Sequence, residues 1–198
     1  MIEHLSDIGL QKKYHNLNFI SKRLVGNFFQ TLYDLVPEHC TNVLDAGCGE
    51  GINLKVIHPK LTNAYLYGLD IVPDRIEQAK KLNPNAHIKI GDIYNIDYTD
   101  NYFELVLCNE VLEHLDYPES ALKELYRVSN KYVVLSVPRE PLWRILNMVR
   151  GKYWSGLGNT PNHVNNWSVK KFKQFVSPSF TIISESYPWP WQFYLLKK

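Results

Sequence analysis

The stretch Thr41-Asn-Val-Leu-Asp-Ala-Gly-Cys-Gly-Glu-Gly51 constrains this chain more than any other. Residues 42–46 read as a short strand, and the adjacent pair Val43-Leu44 suits a strand covered on both faces. Gly47, Gly49 and Gly51 follow at every second position, where a missing side chain permits φ > 0 and lets a ligand touch the main chain. A glycine loop that opens a helix also aims unbonded N–H groups at whatever lies above it. A glycine-rich turn alone is weak, because turns without ligands share it. Asp45 sharpens the signal: a carboxylate at a strand end is costly to bury unless it is used. Dinucleotide sites space their glycines G-x-G-x-x-G, whereas the spacing here is G-x-G-x-G. That spacing disfavours a nicotinamide oxidoreductase.

The rest of the chain alternates strands and helices around this loop. Residues 11–36 repeat apolar side chains at Leu17, Ile20, Leu24, Phe28, Leu32 and Leu35, the period of an amphipathic helix, with a break expected near Gly26. Residues 1–10 show no period and are expected to be loose. A helix over residues 51–58 is stopped by Pro59. Residues 65–70 form the next strand and end in Asp70, at the distance and place where an acid suits ribose hydroxyls. A turn or helix-capping aspartate is the plainer alternative. A helix over 73–82, a strand over 86–91 followed by Asp92-Ile93, a strand over 102–108, a helix over 117–129 and a strand over 131–138 complete the alternation. It predicts a parallel α/β sheet. Ligands in such sheets bind beyond the carboxyl ends of the strands, and Asp45, Asp70, Asp92 and Asn109 all fall there. Further on, residues 141–150 can form a helix, 151–161 a glycine- and asparagine-rich loop, and Ser168 caps a helix to residue 176. Residues 180–187 and 191–196 form an antiparallel hairpin at the sheet edge.

Val43-Leu-Asp-Ala-Gly-Cys-Gly-Glu-Gly51 resembles motif I of the class I S-adenosylmethionine-dependent methyltransferases, and the likeness extends over residues 42–138. Within that class the chain is similar to the type 11 and ubiquinone-biosynthesis O-methyltransferase groups. The resemblance implies a Rossmann-like α/β fold. Its mostly parallel seven-stranded sheet has helices on both faces and a C-terminal antiparallel hairpin. It implies one domain over 1–198, with a helical cap (1–40), a cofactor-binding core (41–138), a substrate lid (139–167) and a C-terminal helix and hairpin (168–198). In the family the loop of Gly47, Cys48, Gly49 and Gly51 wraps the methionine part of S-adenosyl-L-methionine. Asp45 orders that loop and helps hold the amino group, often through water. Asp70 binds the ribose, and Ile71 and Val72 flank the adenine. Asp92 accepts from the adenine amino group while the Ile93 N–H meets a ring nitrogen, with a simple turn role for Asp92 as the alternative. Cys108 and Asn109 lie where the methionine end rests.

Methyl transfer from a sulfonium is an in-line displacement, so the protein must position two partners and remove water from the nucleophile. Neither a Ser/His/Asp nor a Cys/His arrangement stands out in the sequence, and Cys48 reads as a small packing residue. The informative stretch is Asn109-Glu-Val-Leu-Glu-His114. One turn of helix would set Glu110, Glu113 and His114 on one side, a donor set able to hold a divalent cation. The pattern is similar to two metal-using groups, the ubiquinone-biosynthesis O-methyltransferases and the small-RNA 3′-terminal 2′-O-methyltransferases. The second group brings a later histidine to the ion, and His163 stands in that place. The expected metal set is therefore Glu110, Glu113, His114 and His163, for Mg²⁺, Mn²⁺ or Zn²⁺. Two alternatives stay open: a metal-free site in which His114, with Glu113, serves as the catalytic base, and a purely structural packing role.

Composition narrows the partners. A formal charge of +2 argues against a large nucleic-acid footprint. The three cysteines are too few for a disulfide framework and read as reduced thiols of a cytoplasmic protein. No signal-peptide pattern opens the chain, and no apolar run reaches membrane-spanning length. Arg144, Arg150 and Lys152, interleaved with Trp143, Tyr153 and Trp154, suit an anionic substrate, a phosphate or a peripheral membrane contact; a solvated lid helix is the plainer reading. The expected function is methyl transfer to oxygen of a small-molecule acceptor. The runner-up is 2′-O-methylation of an RNA terminus, and a non-catalytic cofactor-binding regulatory module is the contrasting class.

Overall fold

The computed structural model describes residues 19–198. The expected loose segment 1–10 and the first part of the helix expected over 11–36 lie outside the described residues. Helix α1 (Phe19–Leu35) runs without interruption through Gly26, which is buried. The expected break does not occur, because packing of the apolar face outweighs the cost of about 1 kcal/mol for one glycine. Phe28 on that face meets Phe193 at 4.7 Å and Trp191 at 5.1 Å between ring centroids.

The chain then alternates as expected through β1 (Asn42–Ala46), α2 (Ile52–Ile57), β2 (Tyr65–Asp70), α3 (Pro73–Leu82), β3 (His87–Ile90), β4 (Phe103–Asn109), α4 (Pro118–Val128) and β5 (Ser129–Pro138). A helix α5 (Leu142–Val149), a helix α6 (Val169–Val176) and the strands β6 (Thr181–Ser186) and β7 (Trp191–Lys197) follow. The sheet order is β3-β2-β1-β4-β5-β7-β6. The first five strands are parallel, and β7 inserts antiparallel between β5 and β6.

The sheet is covered on both faces because its strands are apolar in both registers. Leu44, Val106 and Leu135 point to one core with Leu125 of α4 and Phe172 of α6. Val43, Leu105 and Leu107 point to the other, with Phe28 of α1, Leu54 of α2 and Ile76 of α3. Proline opens both α3 and α4, where its missing N–H costs nothing. Ser168 caps α6 by accepting from the Lys171 N–H at 3.3 Å. The three cysteines are buried free thiols. Among the described residues, no helix is long and apolar enough to cross a membrane.

Arg127 of α4 clamps the loop before β4. Its guanidinium donates to Glu124, to Asp100 and to the carbonyls of Ile96 and Tyr98, at 2.7–2.8 Å. Arg127→Ala removes several charge-assisted bonds at once and is expected to lower stability by about 2–3 kcal/mol in urea unfolding.

Candidate active site

The parallel neighbours β1 and β4 are where the strand order turns, running outward to β2 and β3 on one side and to β5 on the other. That switch point opens a crevice beyond the carboxyl ends of the two strands. The glycine loop fills its floor. Gly47, Gly49 and Gly51 have φ of +81°, +52° and +79°, a region other residues enter at a cost. The N–H groups of Gly47 and Cys48 both donate to the Leu69 carbonyl at 2.8 Å, so the loop is tied to β2. Asp70 completes the tie: its carboxylate accepts from the Gly49 N–H and the Val72 N–H, each at 2.9 Å.

The three glycines do different work. A side chain on Gly47 would strike Val111 at 2.5 Å. Gly51 faces away from the crevice, where a Cβ would meet Asn83 at 2.5 Å and the backbone of Ala79, so its role is to seat α2 against α3. Gly49 alone of the three looks onto open space.

That space is a cleft of about 340 Å³. Gly47, Cys48, Gly49, Asn109 and Glu110 line it. Asn53, Arg75 and Trp191 also line it, and sequence reading missed all three. Nothing local marks Trp191: it reaches the cleft only because β7 inserts beside β5. Asn109 is buried, and neither its amide oxygen nor its nitrogen has a partner among the described residues. Asp45 is fully buried; one oxygen accepts from Asn53 at 3.4 Å and the other has no partner among the described residues. Buried polar atoms without partners are costly and mark places where a ligand completes the bonding. Cys108 is fully buried beneath, and Cys48 packs against Gly68 as a small core residue.

Ile71, Asp92 and Ile93 do not line this cleft. Ile71 is exposed, and Ile93 is buried in the core. Asp92 is exposed, and its carboxylate accepts from the Tyr94 N–H at 2.9 Å, the turn role.

The segment after β4 departs from expectation. Glu110, Glu113 and His114 do not share an α-helical face. Glu110 sits at φ +57° and only a 3₁₀ turn, Leu112–His114, follows. The Glu110 carboxylate turns into the cleft, accepting from Trp191 Nε1 at 2.8 Å and Ser136 Oγ at 3.3 Å. Glu113, His114 and His163 do converge: one donor atom from each lies within 4.8 Å of the others. Glu110 is not one of these three.

His163 arrives because its loop is bonded to the 3₁₀ turn. Val164 and Asn165 donate their N–H groups to the Glu113 carbonyl, and the Asn165 side chain donates to Leu112 and Leu115 carbonyls. The Asn162 carbonyl lies 3.0 Å from His114 Nδ1. A carbonyl only accepts, so Nδ1 carries a proton, and in the neutral ring the lone pair is on Nε2, 3.9 Å from a Glu113 oxygen. Trp143 of α5 stacks over His163 at 5.9 Å and lies 5.8 Å from Trp191, which joins this cluster to the cleft.

Burial sets the ionisation here. It pushes His163 down to about 4, with the His114 charge adding, so the ring is neutral at ordinary pH. It pushes Asp45 up to about 7 and Glu110 up to about 8, and Glu113 well above the usual carboxylate range with Glu110 contributing. Asp45 and Glu110 ionise more easily in the unfolded chain, so their penalty is absent below about pH 4, grows as pH rises towards their folded values of about 7 and about 8, and is constant above them. His163 acts oppositely, costing stability as pH falls from about 6.5 towards 4. With EDTA present, urea unfolding is expected to show a more stable fold near pH ~6 than near pH ~8.5, and Asp45→Asn should flatten the alkaline limb.

Comparison with known proteins agrees with this architecture. Residues 44–135 match a family model described as a methyltransferase domain. The chain is 30% identical to norajmaline N-methyltransferase of Rauvolfia serpentina over 107 residues, 51% of this chain and 36% of that protein. It is 26% identical to ubiquinone biosynthesis O-methyltransferase of Pseudomonas savastanoi pv. phaseolicola over 145 residues, 69% of this chain and 59% of that one. The chain thus matches between 36% and 59% of the length of these two curated relatives. Its fold is similar to that of magnesium protoporphyrin IX methyltransferase (ChlM) from Synechocystis PCC 6803, solved with bound SAH. The TM-score is 0.70 at 17% identity, covering 92% of this chain and 89% of that chain. The match over residues 44–135, a glycine loop at the switch point and a sheet ordered 3-2-1-4-5-7-6 make this chain similar to the methyltransferase domain family, on a Rossmann-like fold like that of the solved methyltransferase.

Proposed function

We propose that this chain binds S-adenosyl-L-methionine in the cleft between β1 and β4 and transfers its methyl group to oxygen of a small-molecule acceptor. The observation that carries the cofactor reading is the set of buried, unpartnered polar atoms on Asp45 and Asn109 beside the open face of Gly49. An amino-acid end, with its ammonium and carboxylate, supplies what those atoms lack. Asp70 holds the loop and keeps lone pairs for ribose hydroxyls, while exposed Ile71 offers an apolar face to adenine, with Asp92 and Ile93 at its edge. Cys108 and Asn109 support the methionine end. In the transfer, an acceptor oxygen attacks the methyl carbon, the carbon–sulfur bond breaks, and the sulfonium becomes a neutral thioether. The acceptor's proton goes to His114 Nε2, whose lone pair is free. Trp143 and the rest of residues 139–167 exclude water from above.

Glu113, His114 and His163 also fit a divalent cation such as Mg²⁺, Mn²⁺ or Zn²⁺. Two imidazoles and a buried carboxylate, one oxygen of which has no partner among the described residues, form a donor set for such an ion, and positive charge there would ionise Glu113. Bound there, an ion would polarise an acceptor hydroxyl and lower its pKa. Glu110 stays outside that set, held by Trp191 and Ser136.

Calorimetry with S-adenosylhomocysteine tests the cofactor reading. Asp70→Ala is expected to weaken binding by about 1–3 kcal/mol, since it unpairs ribose hydroxyls and frees the Gly49 N–H. Methyl-transfer assays on phenols, carboxylic acids, lipids, amines and RNA ends test the acceptor. Product on an amine or an RNA terminus would replace the small hydroxyl acceptor, and binding without any product would favour a regulatory module.

A further inference from the structure

Helix α5 is built inside out. Its apolar side chains Leu142, Ile145, Leu146 and Val149 recur at i, i+3, i+4 and i+7, the stripe that a helix normally turns to a core. Here the one buried residue of the helix is Asn147, at 4% exposure, while Ile145 is 47% and Val149 79% exposed. Asn147 donates inward to the Gly158 carbonyl and to Thr160 Oγ1. Arg144 spends its guanidinium on the carbonyls of Leu157 and Gly156. These bonds fold residues 153–158 back onto the polar side of α5, so tightly that a Cβ on Gly158 would overlap the Arg144 carbonyl. Tyr153 and Leu157 are held at φ +57° and +49°, costly for bulky residues. Trp154 and Leu157 in that folded-back segment are each about two-thirds exposed, as Ile145 and Val149 of the helix are exposed. Strain and buried bonds hold this arrangement, so the outward apolar face is built rather than frayed.

We propose that this outer face of the lid docks on an anionic phospholipid bilayer. Charge chooses that occupant. Six basic and no acidic residues fall between positions 141 and 184; Arg144 is bonded to carbonyls and Lys173 is paired with Glu185, while Arg150, Lys152, Lys170 and Lys171 are exposed. Within the patch itself, Arg150 and Lys152 are exposed beside the apolar stripe. Aliphatic residues with Trp and Tyr at the rim, flanked by Lys and Arg, are the composition of an interfacial helix lying at the headgroup boundary. RNA would engage the two cations and the aromatics, and would leave Ile145, Val149 and Leu157 in water. The inner side of the same lid carries Trp143, which stacks on His163. Resting on the methyl-transfer reading above, docking would place the acceptor entrance at the bilayer and make the acceptor an amphiphile with a reactive hydroxyl.

Flotation with vesicles of phosphatidylcholine containing about 30% phosphatidylglycerol tests the surface, with pure phosphatidylcholine vesicles alongside. The full chain is expected to float with the anionic vesicles and about tenfold less with neutral ones. Val149→Glu and Trp154→Ser are each expected to reduce partitioning about tenfold, the effect of losing one inserted apolar side chain. Both positions lie outside the cofactor cleft, so affinity for S-adenosylhomocysteine should be unchanged, which also shows that the variants fold. Absence of flotation, or equal flotation of parent and variants, overturns the proposal. So does a concentration-dependent dimer abolished by Val149→Glu without vesicle binding, or preferential binding of a labelled 20-nucleotide RNA. Failure of S-adenosylhomocysteine to bind the parent, with flotation intact, would instead remove the methyltransferase reading and leave the docking surface standing.

Discussion

Gly49→Val is expected to lower affinity for S-adenosylhomocysteine at least about a hundredfold while the protein stays folded. The two halves of that expectation have separate causes. Among the described residues, nothing beyond the chain neighbours lies within 4 Å of where a Cβ at Gly49 would stand, so the added branch point meets no packed neighbour. The residue must still adopt φ +52°, at a cost of at least about 1–2 kcal/mol, which a single domain tolerates. The added atoms instead enter the cleft that the ligand would fill, and they splay the N–H that Asp70 accepts. Gly51→Ala provides the contrast. Its Cβ collides with Asn83 and Ala79 at the α2–α3 contact, so stability should fall while the cleft keeps its shape. Calorimetry with circular dichroism on both variants separates the effects. Unchanged affinity in a folded Gly49→Val protein would mean that the ligand does not touch this loop.

Glu113→Ala is expected to reduce methyl transfer by about 10³-fold without weakening cofactor binding. Glu113 is 1% exposed and lies beside His114 and His163. Its removal takes away the carboxylate that orients or charges the pair. Chelation by EDTA should reproduce the loss if a cation is held there, and His163→Ala should behave like chelation. If His114 acts alone as base, EDTA has no effect, and the pH–rate profile shows a limb that His114→Gln abolishes. Glu113→Gln keeps the volume and guards against a packing artefact. Full activity in both Glu113 variants would remove this cluster from the chemistry.

Local sequence determined a large part of this. Glycines at 47, 49 and 51 read as residues that tolerate positive φ, and all three adopt it. Apolar registers on both sides of β1, β4 and β5 required a sheet covered on both faces, which fixed a parallel α/β architecture. Prolines and a serine cap marked α3, α4 and α6 to within a residue or two, because capping is a local matter. The unbroken α1 was not legible, since the energy that overrides Gly26 comes from Trp191 and Phe193, far along the chain.

The site was decided largely in three dimensions. Helical periodicity grouped Glu110 with Glu113 and His114, but one left-handed residue at 110 redirected its carboxylate to Trp191. No spacing rule anticipates that, because the partner comes from a strand inserted antiparallel at the other end of the sequence. His163 meets His114 for the opposite reason: backbone bonds from Val164 and Asn165 to the Glu113 carbonyl pin a loop that composition showed only as polar. In α5 the helix was legible in the sequence, yet the direction of its apolar stripe was settled by Asn147 and Arg144 bonding to residues 156–160. A hydrophobic period tells which residues share a face. Which way that face turns depends on where the buried polar groups find partners, and only the folded chain supplies them.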